Sequence, residues 1–126
     1  MSKHIFSKIA KIGEEVRSAE PMRVEFKGIQ TTINDLKNHN MNSTLSLVDD
    51  GIKSLEKASI DARRKQQQAE MRLDILQTQL KQAADLGIDI SNYDGFLTMA
   101  KRQVQFASDA AKRIESAIGT AKMAYN

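Results

Sequence analysis

The chain has 126 residues, a formal net charge of +3, 40% hydrophobic and 28% charged residues. That is the composition of an ordinary folded domain, long enough for its own core, and it argues against disorder except at the chain ends. No cysteine is present, which excludes a disulfide framework, thiolate metal sites and cysteine nucleophiles.

The first stretch, "HIFSKIAKIGEEV", places Ile5, Ile9, Ile12 and Val16 at steps of four, three and four. This is the stripe of an amphipathic helix, expected over about 3–19. Beyond Pro21 the alternation resumes through Met22, Phe26, Ile29, Ile33 and Leu36, out of register with the first stripe. Proline lacks the amide proton and crowds the preceding turn, so the first helix is expected to break at Pro21, its second part covering about 22–38. Three asparagines within "KNHNMNST", residues 37–44, then mark a turn.

A long stripe follows: Met41, Leu45, Val48, Ile52, Leu55, Ser59, Ala62, Gln66, Ala69, Leu73, Leu76, Leu80, Ala83. It predicts a helix over about 43–86, stopped where Gly87 supplies a left-handed residue and Ile88 an apolar follower. Ser91 with Asp94 three residues on has the spacing of a capping box, opening a last helix over 92–125.

That helix carries apolar residues at Tyr93, Leu97, Ala100, Val104, Ala107, Ala111, Ile114, Ile118, Ala121 and Tyr125. At this composition, ten such hits arise by chance about once in ten thousand placements. Phe96, Gln103, Ala110, Ala117 and Ala124 widen the stripe, enough to touch two neighbouring helices. The alanines suit close approach of helix backbones, near the low end of the usual ~8–10 Å spacing. Ser59 and Gln66 are the polar exceptions in the long seam, and Gln66 has the position of a register-setting residue. The expected fold is all-α: one domain, 1–126, an elongated antiparallel three-helix bundle of coiled-coil type. Short connections between helices give the antiparallel order.

No site for chemistry emerges. His4 and His39 lack carboxylates at ligand spacing, and the adjacent pairs Glu14-Glu15 and Asp49-Asp50 point about 100° apart on a helix. The glycines form no phosphate loop. The expectation is a protein that is not an enzyme, with no cofactor, no metal and no small-molecule substrate. With no apolar run fit for a signal peptide or membrane span, it is placed in the cytoplasm.

Contact with another protein is the leading functional expectation: an assembly, adaptor or inhibitor protein working through helix–helix contacts and associating with itself. Its candidate surface is Met99, Phe106, Ile60, Met71 and Ile75, apolar residues that fall off the seams. Second comes nucleic acid, through basic stripes formed by Arg63, Arg64, Lys65, Lys101, Arg102, Lys112 and Arg113. A membrane surface ranks third, resting on Lys3, Lys8 and Lys11 around Ile5, Phe6, Ile9 and Ile12.

Overall fold

The computed structural model describes residues 2–19, 31, 32, 34 and 45–125. Regular structure among them consists of helix α1 (Ser2–Ser18), helix α2 (Leu45–Asp85), a 3-10 turn (Ser91–Tyr93) and helix α3 (Asp94–Tyr125). The fold class is all-α, and these helices end within two residues of their expected bounds. Thr31, Thr32 and Asn34 are helical, inside the span expected for a second helical piece. The Pro21 break and the 37–44 turn lie outside the described residues.

The chain divides into two compact units, one of Met1–Arg23 with Lys65–Ala107, the other of Val24–Arg64 with Ser108–Asn126. Helices α2 and α3 contribute residues to both.

The first unit has a core of large aliphatic side chains. Ile9, Ile12 and Val16 of α1 cluster with Leu76, Leu80 and Ala83 of α2 and with Ala100 of α3. Ile5, Leu73, Tyr93, Phe96, Leu97 and Met99 pack around them. Complete burial of a leucine or isoleucine stabilises by about 1.5–3 kcal/mol. Helix α1, at 17 residues, is near the length at which isolated helices are marginal, so this burial is what keeps it formed. Phe96 lies across Gly13, where a Cβ would stand 2.9 Å from Phe96 Cε2. The missing side chain makes room for the ring.

The end of α2 follows from its sequence. Gly87 takes φ +80°, its N–H donates to the Ala84 carbonyl at 2.9 Å, and the Ile88 N–H donates to Ala83 at 3.0 Å. This crossed pair is the Schellman arrangement, and Ile88 packs against the first unit's core as its apolar follower. The start of α3 departs from expectation. Ser91 does not cap it: the α-helix begins at Asp94, and the Ser91 N–H donates to Asp89 Oδ1 at 2.9 Å. An aspartate bonding two residues ahead makes a local turn that competes with a capping box. The chain therefore enters α3 through a 3-10 turn.

In the second unit the described core residues come from α2 and α3. Leu55 and Ala62 of α2 meet Ala111 and Ile114 of α3, fringed by Ala58, Ala117 and Ile118. Counting both units, Ala62, Ala69, Ala83, Ala100, Ala107 and Ala111 are all wholly buried. They are close-packing positions, as their place in the stripes implies.

Candidate functional site

The basic residues sit on solvent-facing parts of α2 and α3, but several are committed within the protein. In the second unit Arg63 forks onto Glu115, with Nε to Oε1 at 2.6 Å and Nη2 to Oε2 at 2.7 Å. These hydrogen bonds, helped by nearby Lys112, hold the Glu115 carboxyl below its ordinary value. Arg64 lies 3.9 Å from Asp61. Lys65 and Arg113 also have partners of their own. Lys101, Arg102 and Lys112 are exposed.

Among the apolar candidates, Ile60 and Met71 are 63% and 64% exposed, Ile75 42% and Phe106 40%. Ile60 belongs to the second unit, and Met71, Ile75 and Phe106 to the first. Met99 differs from them: it is half-buried against the first unit's core. Phe6, named by its sequence only for a membrane surface, is also exposed, as are Leu86 and Met123, which no sequence pattern nominated for contact. Phe6 adjoins the apolar stripe of α1, and Leu86 lies just past the last seam residue of α2, so periodicity alone left both beside the core.

The apolar face of α1, which suggested a membrane surface, is used inside the protein. Ile9 and Ile12 are buried, while His4, Lys8 and Lys11 are exposed. No described helix is long and apolar enough to cross a membrane. Among the described residues no three metal-capable side chains come together.

The first unit contains a buried polar contact. Gln103 is 1% exposed. Its Nε2 donates to the Val16 carbonyl at 2.8 Å, and its Oε1 accepts from Arg72 Nη2 at 3.4 Å. Val16 lies in the last turn of α1, where carbonyls run out of intrahelical donors. The Ala19 N–H, at 3.2 Å, shares that oxygen. Gln103 thereby ties the end of α1 to α3 with a directional bond in a core otherwise held by undirected burial. Gln66, the residue singled out by its seam position, is only half-buried and donates to Glu70 Oε1 at 3.0 Å along its own helix. The signal for Gln103 lay in the sequence, as a polar residue on the widened face of α3 between Phe96 and Ala110.

This geometry can fasten helices together and present side chains outward. No family model, curated protein or solved structure matches the chain.

Proposed function

We propose that this is a non-catalytic interaction protein of the cytoplasm, an assembly, adaptor or inhibitor factor that works through helix–helix contacts and associates with itself. The architecture that goes with this reading is an antiparallel three-helix bundle of coiled-coil type, its first helix broken at Pro21. Antiparallel order is supported within the second unit, where Glu56 pairs with Lys122 and Arg63 with Glu115. Seven residues forward along α2 match seven backward along α3.

The observation that carries the functional reading is the exposure of Ile60 and Met71, each beyond three-fifths, on the outside of one well-formed helix. Helix surfaces of this kind, rich in methionine and aliphatic side chains, suit partner contact. Nucleic-acid binding has less support, because Arg63 is held by Glu115 and Arg64 stands beside Asp61.

Light scattering on concentrated protein at low and high salt tests the proposal. Association through apolar faces gives a mass above the 14.1 kDa chain in both conditions. A strict monomer in both would contradict self-association. Steep salt-sensitive retention of DNA or RNA would favour the basic stripes instead.

A further inference from the structure

Within the first unit the outer face of α2 repeats at steps of three and four through Gln68, Met71, Ile75, Thr78 and Gln82. All five are exposed, and none is charged, in a chain with 28% charged residues. The spacing is that of a coiled-coil seam, lying outside the seam that α2 uses for its own core. Four of them, Gln68, Met71, Ile75 and Thr78, also read nearly the same from either end, and the next step toward the N-terminus is the exposed Arg64.

We propose that this stripe is a two-fold interface in which the outer face of α2 pairs antiparallel with the same face of a second copy. The assignment rests on the self-association reading above and names its surface. With residue 73 at the symmetry axis, Met71 meets the second copy's Ile75, and Gln68 meets the second copy's Thr78. Each apolar side chain then faces an apolar one. Each Gln68 amide faces a threonine hydroxyl, and both groups can donate and accept.

The mirrored order of Gln68, Met71, Ile75 and Thr78 selects a copy of this chain over other occupants. The four central positions are neutral and approach their counterparts without repulsion, while Gln82 comes opposite the second copy's Arg64, whose guanidinium can donate to the amide oxygen. A self-complementary patch is what a two-fold dimer requires. The stripe from residue 68 to 82 is about 21 Å long at 1.5 Å per residue. One helix face of that length is short of the roughly 1,200 Å² buried by stable interfaces, so the dimer dissociates on dilution.

The absence of native cysteine allows a direct test. Gln68→Cys and Thr78→Cys chains are prepared separately, then oxidised alone and as a mixture. Antiparallel pairing predicts that the mixture yields disulfide-linked heterodimer several-fold above either homodimer. Dominant homodimers, or no enrichment in the mixture, would overturn the register and the assignment. In parallel, Met71→Glu with Ile75→Glu is expected to return concentrated protein to monomer mass with unchanged helicity. If that variant remains associated, this face is wrong although self-association stands. If the unaltered chain is monomeric at every concentration, self-association and this interface fail together.

Discussion

The described contacts that hold α2 and α3 differ between the two units. In the first, large aliphatic side chains from three helices converge, and Gln103 adds a directional bond to the end of α1. In the second, the described core is alanine with one leucine and one isoleucine, and ion pairs link α2 to α3 along its rim. Burial of large side chains supplies energy but tolerates sliding, so one polar bond helps fix position. Alanine packing supplies less energy per residue but constrains backbone distance closely, and charge order along the rim selects direction.

Truncating the aliphatic core should have the largest effect. Leu76→Ala removes a fully buried side chain and should cost about 2–5 kcal/mol, read from the urea midpoint. A loss below about 1 kcal/mol would mean the first unit is not packed as described. The complementary change is Ala111→Leu in the second unit, where a wholly buried methyl becomes an isobutyl group. Overpacking there should cost about 1–3 kcal/mol. If the variant is instead stabilised, the alanine seam has room to spare and the contrast between the units weakens.

Gln103→Ala tests the polar fastening. It removes the bond to Val16 while the Ala19 N–H still reaches that carbonyl, so the expected loss is about 1–2 kcal/mol. Faster amide exchange in α1 should accompany it. Gln66→Ala, at a half-exposed position, should shift stability by under about 0.5 kcal/mol. Equal effects at the two glutamines would remove Gln103 from its special place.

The smallest effect belongs to the rim. Arg63 and Glu115 are each about two-fifths exposed, so a double-mutant cycle should give under about 1 kcal/mol, declining with salt. Because Glu115 titrates below its ordinary value in the folded protein, the pair contributes fully above about pH 4.3, the unfolded range for glutamate. That contribution is lost as pH falls through the depressed folded value. A coupling energy insensitive to both salt and acid would show that the carboxylate is not its source.

Among the described residues, the presence of α1, α2 and α3 and most of the core were legible because one physical signal, apolar periodicity, governs them. Ile9, Leu76, Ala100 and Ile114 are buried where the stripes put them, and Gly87 stops α2 through the backbone geometry only glycine adopts readily. The start of α3 was misread because two short-range partners competed for the Ser91 amide, and Asp89 lies close enough to win. Met99, off the seam by position, packs on the core because a long flexible side chain reaches beyond its own helical face. Gln103 outranks Gln66 through its tertiary partner, the end of α1, and no pattern within α3 records where another helix terminates. Function is harder to read for a related reason. A catalytic site concentrates unusual residues, whereas a contact surface consists of ordinary residues in excess of what the core consumes.

If outward apolar faces of these helices associate, dilution calorimetry at several temperatures will register their separation. Concentrated protein injected into buffer should release a dissociation heat that becomes more endothermic with rising temperature, the heat-capacity signature of re-exposed apolar surface. The signal should persist at high salt. Heats that are negligible at every temperature, or that vanish on adding salt, would contradict the account.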